Sequence, residues 1–143
     1  MAKKELIINS DLSVEQKVFG LLACIAQEQK AEVSRLLKPT DLSMVQLMLL
    51  HSLAHAPKKT LTVNQLKQTM IDESPNVSRA LNKLSDKGYI IKNRCEKDQR
   101  TVFITITEEG GKAHNEGDSY LMNMSLDIDK QELEQLYRIL QKI

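Results

Sequence analysis

Hydrophobic positions recur at helical spacing through the first half of the chain, and polar caps mark where the helices begin. Ser13, Ser43 and Thr62 are each followed three residues later by Gln, the capping-box pattern in which the hydroxyl and the Gln side chain satisfy free amides at a helix start. We expect a long first helix over residues 14–37 that ends before Pro39. Its apolar stripe consists of Val14, Val18, Leu21 and Ile25.

The second predicted helix covers residues 44–55 and is apolar almost all round. A helix of this kind has no face suited to solvent, so we expect it to form the centre of the core and to end before Pro57. A short third helix should follow. Its inward-facing residues are Val63, Leu66 and Met70.

A fourth helix is predicted to begin at Pro75 and to end before Gly88. Ser74 can act as its N-cap, and Pro75 suits the first helical position because the amide there has no intrahelical partner. The apolar residues Val77, Leu81 and Leu84 recur at spacings of four and three and form one stripe. The remaining surface is polar and carries Asn76, Ser78, Arg79, Asn82 and Lys83.

Two strands are predicted after this helix. Residues 89–91 are of strand type, and residues 101–107 alternate between apolar and Thr side chains with the period of two of a half-buried strand. The charged segment 94–100 lies between them. Because so small a hairpin is not stable alone, we expect it to lean on the helices as a wing.

From Glu108 onward the pattern is helical again, with an interruption near residues 127–129. The last segment has an apolar stripe formed by Leu133, Leu136, Leu140 and Ile143. A terminal helix with such an edge must either pack on its own core or meet another chain.

Length and composition exclude several classes of protein. The chain of 143 residues has the size of one domain, and its charged and apolar fractions are ordinary for a globular protein. No apolar run approaches the roughly 18 residues that span a bilayer, and the N-terminus lacks the apolar core of a secretion signal, so we expect a cytoplasmic protein without membrane contact. Cys24 and Cys95 are far apart and predict reduced thiols rather than a disulfide framework.

The net charge of +1 is unevenly distributed. Residues 79–100 contain seven Lys or Arg against three Asp or Glu, a balance of +4, which leaves −3 for the rest of the chain. A basic face concentrated on one helix and hairpin favours phosphate contacts, although Lys and Arg also coat ordinary solvated surfaces.

Several of these residues have the chemistry of DNA recognition. Arg79 can bond guanine O6 and N7, and Asn82 can bond adenine N6 and N7, although either could instead touch phosphate or solvent. The weaker candidates on the same helix are Pro75, Asn76, Ser78 and Lys83. In the turn, Lys97 and Arg100 could contact phosphate or the minor groove.

The chain resembles the multiple-antibiotic-resistance regulator (MarR/SlyA-like) family of transcription factors. The shared motifs are Val77-Ser78-Arg79, Leu84 with Lys87-Gly88-Tyr89-Ile90, Asp98-x-Arg100, and Ile106-Thr107-Glu-Glu-Gly110. The resemblance covers nearly the whole chain. It implies a mainly α fold with a small β-hairpin wing, a winged helix-turn-helix lobe over residues 43–107, and dimerisation helices over residues 1–38 and 108–143 of a single domain.

The resemblance also implies a function. We expect a homodimeric regulator, a repressor in particular, that binds a pseudo-palindromic operator in double-stranded DNA and is released by a small-molecule effector in the cleft between the dimer helices and the lobe. Leu133, Leu136, Leu140 and Ile143 would then lie in the dimer interface. The family also implies a minor strand at Thr60-Leu61 and a structural pairing of Asp98 with Arg100 in the wing.

Other functions are weighed against this expectation. The chain has no catalytic motif and too few His and Gly for a convincing active site, so we expect neither an enzyme nor a cofactor. His51 and His55 share a helix face and could hold zinc, but supporting ligands besides His114 are not evident, and we expect two histidines that line an interhelical surface. Thiol-based redox sensing through Cys24 and a winged helix used only for protein contact are the remaining alternatives.

Overall fold

The computed structural model describes residues 2–71 and 74–143 and shows seven helices and a three-stranded sheet among them. The helices are α1 (Ala2–Ile8), α2 (Val14–Leu37), α3 (Met44–Ala54), α4 (Val63–Thr69), α5 (Ser74–Asp86), α6 (Glu108–Leu121) and α7 (Lys130–Leu140). The strands are β1 (Thr60–Thr62), β2 (Ile90–Arg94) and β3 (Val102–Ile106). Short 3-10 turns at Lys38–Thr40 and Pro57–Lys59 follow α2 and α3. The predicted fold class, mainly helical with a small wing, is confirmed.

All three capping boxes form as the sequence predicts. Ser13, Ser43 and Thr62 each accept the amide of the Gln three residues later, and each Gln side chain accepts the cap's own amide. The helix α2 has the predicted bounds, and α3 ends one residue earlier than predicted. The helix α5 begins at Ser74, one residue before the predicted start, while the side chain of Ser74 lies outside the described residues.

The helix α1 was not predicted from the sequence. It packs against α2, where Ile7 comes so close to Gly20 that a Cβ on the glycine would lie 3.1 Å from the Ile7 Cδ1 atom. Lys4 forms an ion pair with Glu28, and the ammonium of Lys17 donates to the carbonyl of Ile8. The long predicted helix is therefore the second helix of the chain.

The core is built around α3, which contacts α2, α4, α5, α6 and β3. Its leucines at positions 47, 49, 50 and 53 are at most 2% exposed. These leucines occupy one broad side of α3, whereas Met44 and His51 on the remaining surface are exposed. The prediction of a central core helix is correct.

The sheet is antiparallel with the strand order β1-β3-β2. Ile104 in the middle strand is fully buried and is opposite Leu61 on β1, so the strand predicted at Thr60-Leu61 is confirmed. Ile90 pairs with Ile106, and both are buried against the helices. The hairpin thus depends on the helical core for its apolar face.

The helix α6 passes very close to the start of β2. Thr107 caps α6 by accepting the amide of Gly110, and its hydroxyl donates to the carbonyl of Gly88. A Cβ on Gly110 would lie 2.1 Å from the carbonyl oxygen of Tyr89. Only glycine allows this approach without movement of the backbone.

The C-terminal stripe does not pack on the core. The helix α7 has no buried residue and packs extensively against no other described element. Leu133, Leu140 and Ile143 are exposed, and Leu136 is half-buried.

Among the residues that the structure describes, no helix has the length and apolarity required to cross a bilayer.

Two neighbouring glycines give opposite predictions for stability. We expect Gly110→Ala to lower the free energy of unfolding by at least about 2 kcal/mol, because its methyl group would meet the Tyr89 carbonyl. Gly111→Ala is the matched control, since nothing lies within 4 Å of the added Cβ, and it should raise stability by about 0.5–1 kcal/mol through helix propensity. Urea unfolding at equal protein concentration measures both. Equal effects of the two substitutions would contradict the close approach.

Candidate nucleic-acid interface

The helix α5 is anchored by one face and open on the other. Val77, Leu81 and Leu84 are at most 2% exposed and pack in the core as predicted, next to the buried Ala80. The helix contacts α3 on one side and β2 on the other. This anchoring fixes both the position and the rotation of α5, so its polar face is directed away from the core.

The exposed face carries the residues that the sequence singled out. Pro75, Asn76, Arg79, Asn82 and Lys83 are exposed, and Ser78 is half-buried. The guanidinium of Arg79 donates to the Oδ1 atom of Asn76 at 3.0 Å, one turn earlier on the helix. Asn76 thus accepts one of the hydrogen bonds that the Arg79 guanidinium can donate. The other N–H donors of the guanidinium can bond a ligand.

The wing joins this face through β2. The ammonium of Lys92 donates to the Oδ1 atom of Asn82. Together with Ser78 and Arg94, these two residues line a cleft of about 300 Å³ between α5 and the wing. Val63, Leu81 and Val102 form its apolar part, and the amide, hydroxyl and cationic groups at its border are suited to phosphate and base edges.

Lys92 and Arg94 were not singled out from the sequence. They follow the buried Ile90 with a period of two, so their side chains leave β2 on the side that faces α5. This period of two is the sequence feature that could have identified Lys92 and Arg94. It indicates a position beside α5 only when the packing of β2 against α5 is known.

The wing turn is organised by Asp98. Its carboxylate accepts the backbone amide of Arg100 at 3.0 Å and the hydroxyl of Thr101 at 3.1 Å. Asp98 therefore pairs with Arg100 through the main-chain amide and has a structural role in the wing. Lys97 and Arg100 are exposed at the tip, so their cationic groups can reach a partner beside α5.

The two cysteines and two of the histidines are the remaining candidate residues. Cys24 is half-buried on α2, and Cys95 is half-buried where the wing turn begins. His51 and His55 lie on α3 with their ring centroids 4.3 Å apart. The backbone amide of Cys95 donates to the carbonyl of Thr101 at 2.9 Å across the wing turn, whereas Cys24, His51 and His55 lie on α2 and at α3, outside α5 and the wing.

Comparisons with known proteins agree with the fold. Residues 31–117 match the sequence model of the family described as transcriptional regulator SarA/Rot. The fold is similar to that of Sco3205, a MarR family transcriptional regulator from Streptomyces coelicolor in complex with DNA, with a TM-score of 0.77 and 21% identity over 91% of this chain and 89% of that one.

Two further structures show the same fold. A mutant MarR from E. coli complexed with operator DNA matches with a TM-score of 0.74 and 22% identity, over 93% of this chain and 98% of that one. Bordetella bronchiseptica BpsR, whose DNA binding is regulated by 6-hydroxynicotinic acid, matches with a TM-score of 0.75 and 14% identity, over 93% of this chain and 96% of that one. The recognition of a MarR-like fold from the sequence is confirmed.

The contacts of Asp98 predict a local effect of its removal. We expect Asp98→Ala to accelerate hydrogen exchange at the Arg100 amide, because the variant no longer has the carboxylate that accepts this hydrogen. Lys97→Ala is the control, since the Lys97 side chain makes no hydrogen bond among the described residues. Exchange followed by NMR measures both variants. Unchanged protection of the Arg100 amide in Asp98→Ala would contradict this role.

Proposed function

The chain belongs to the SarA/Rot family of transcriptional regulators, and we propose that it binds operator sequences in double-stranded DNA as a homodimer. The observation that carries this proposal is the polar, exposed face of α5 beside a basic wing, held in place by a fully buried opposite face. The proposal includes repression as the mode of regulation, action in the cytoplasm, and no catalytic activity. The DNA-binding lobe would be residues 43–107.

In the proposed complex α5 lies in the major groove. Arg79 is placed to bond guanine O6 and N7, and Asn82 to bond adenine N6 and N7. The hydrogen bond from Arg79 to Asn76 restricts the guanidinium before DNA arrives, which lowers the entropic cost of binding. The Oδ1 atom of Asn82 has two lone pairs, so it can accept from adenine while it also accepts from the ammonium of Lys92.

The remaining residues of the face supply supporting contacts. Pro75, Asn76, Ser78 and Lys83 lie on the exposed or half-buried side of α5, within reach of sugar and phosphate. In the wing, Lys97 and Arg100 would contact phosphate or enter the minor groove next to the half-site. Such contacts add affinity that falls with salt, because each neutralised phosphate releases condensed counterions.

Dimerisation is proposed from the two ends of the chain. Large apolar side chains are exposed both in the N-terminal helices and from residue 122 onward, an amount that a monomer rarely leaves in water. On the N-terminal side they include Leu6, Ile8, Leu12, Val14, Val18 and Phe19. On the C-terminal side the proposed contacts are Leu133, Leu136, Leu140 and Ile143. A second copy of the chain would cover both ends with one two-fold interface.

A cleft between α2 and α5 is the proposed place for a small-molecule effector. It has a volume of about 530 Å³ and is lined by Lys38, Lys83 and Lys87 among other residues. Asp41 also lines the cleft and forms an ion pair with Lys87, so the excess positive charge that favours an anionic ligand comes from Lys38 and Lys83. A ligand that prefers one separation of the two recognition helices would shift the dimer away from the spacing that DNA requires.

Substitutions at base-reading and phosphate-binding residues should weaken DNA binding in different ways. Arg79→Ala should cost about 1–3 kcal/mol at the preferred operator and relax discrimination at one position in each half-site. Lys97→Ala should weaken binding to operator and scrambled duplex alike, and it should reduce the log-log salt slope by about one for each phosphate that the variant no longer neutralises. Fluorescence anisotropy across a salt series measures both variants.

Lys30→Ala is the control for the removal of one positive charge, because Lys30 is exposed on α2 outside the proposed lobe. It should leave affinity and salt slope near those of the wild type. If Arg79→Ala and Lys97→Ala also leave binding to every duplex unchanged, α5 and the wing do not hold DNA. A winged helix used only for protein contact would then be the better account.

The dimer interface is tested by charge substitution on α7. The double variant Leu133→Asp/Leu140→Asp should dissociate or lose operator binding, because it places carboxylates within the proposed apolar contact. Gln131→Asp/Gln135→Asp adds the same charge to the opposite side of the helix and should remain a dimer. Sedimentation velocity measures both. A monomeric wild type, or a double Leu variant that remains a DNA-binding dimer, would contradict the interface.

A further inference from the structure

Two histidines and an aspartate converge where α3 meets α6. The Nδ1 atom of His51 on α3 lies 3.0 Å from the Nε2 atom of His114 on α6. The Oδ2 atom of Asp118, one turn further along α6, lies 3.1 Å from that same Nε2 atom and 3.9 Å from the His51 Nδ1 atom. Three potential ligand atoms from two helices thus surround one point.

The burial of the three groups differs in a way that suits ion binding. The side chain of His114 is only 5% exposed, whereas those of His51 and Asp118 are 56% and 36% exposed. The cluster therefore has a fixed inner ligand and two outer ligands at the protein surface. Burial lowers the pKa of His114, although Asp118 opposes the shift.

The dimensions of the cluster match those of a small divalent ion. A circle through the three ligand atoms has a radius of about 2.0 Å, as their mutual distances require, and zinc bonds nitrogen at about 2.0–2.1 Å and carboxylate oxygen at about 2.0–2.2 Å. An ion slightly above the plane of these atoms would reach all three without movement of either helix. Two imidazoles and one carboxylate select zinc and its transition-metal neighbours over calcium and magnesium.

We propose that His51, His114 and Asp118 form a binding site for a zinc-like divalent transition-metal ion that ties α3 to α6. The inference does not depend on DNA binding, because it rests on the geometry of this cluster alone. Because the side chains of His51 and Asp118 are both accessible, a water molecule can reach the cluster as a fourth ligand. A site with three protein ligands and a water molecule is a common zinc arrangement.

His55 lies near the cluster and outside the ligand set. Its Nδ1 atom is 2.9 Å from the carbonyl oxygen of His51, and its ring centroid is 6.0 Å from that of His114. His55 is a fourth titratable group one helical turn from His51, so it provides a matched control. The spacing of four residues in the sequence suggests His51 and His55 as a pair of ligands. In the structure, His51 lies beside His114 and Asp118 instead.

The site is tested with ZnCl₂ on the tag-free, full-length protein after dialysis against a chelator. Isothermal titration should give one ion per chain with a dissociation constant of about 1 μM or below. His51→Ala and Asp118→Asn should each weaken binding, by about 10–100-fold or more. His55→Ala should retain the wild-type affinity. Circular dichroism verifies that each variant is folded, and Asp118→Asn preserves side-chain shape if His51→Ala does not fold.

Thermal unfolding provides a second measurement of zinc binding that does not use the heat of titration. Zinc at about 100 times its dissociation constant should raise the unfolding temperature of the wild type by several degrees and leave that of His51→Ala unchanged. The proposal is overturned if the wild type shows no saturable binding up to about 100 μM free zinc. It is equally overturned if His51→Ala and Asp118→Asn bind as well as the wild type, or if His55→Ala weakens binding as much as His51→Ala.

Discussion

The packing of α3 against α2, α4, α5, α6 and the middle strand of the sheet is the constraint on which the rest of the structure depends. Its four core leucines contact helices before and after it in the chain as well as the middle strand of the sheet. Because side chains in such a core are close-packed, none of these elements can rotate without opening a cavity around α3. The orientation of α5 relative to the wing follows from this shared contact. The position of the polar face of α5 is therefore set by its packing against α3.

The same core helix connects the proposed DNA-binding lobe to the terminal helices. Gly117 on α6 lies so close to Leu47 that a Cβ would come within 2.6 Å of its side chain. His51 meets His114 and Asp118 about one turn further along α3. An ion bound there would hold α3 against α6 at the junction between the lobe and the proposed dimer helices. Any change at this junction must either move α5 with α3 or disrupt their packing.

Local patterns predicted most of the fold, and contacts between distant residues account for most of what was missed. Capping boxes and apolar stripes depend on neighbours three or four residues away, so the bounds of α2 and the buried face of α5 follow from the sequence. The position of Lys92 beside Asn82 depends on how β2 packs against α5. The meeting of His51 with His114 likewise depends on the crossing of two helices separated by the whole wing. The short helix α1 was missed for a local reason, because the segment is brief and carries no strong cap signal.

Selection of bound duplexes from a random library tests the central claim most directly. If two copies of α5 read successive major grooves, the selected sequences should contain an inverted repeat whose half-sites are about one helical turn, or about 10 base pairs, apart. The enriched half-site should contain a fixed G·C pair at the position that Arg79 can reach and a fixed A·T pair at the position that Asn82 can reach. A library that returns no enrichment, or enrichment without two-fold symmetry, would contradict the account of a dimeric DNA-binding regulator.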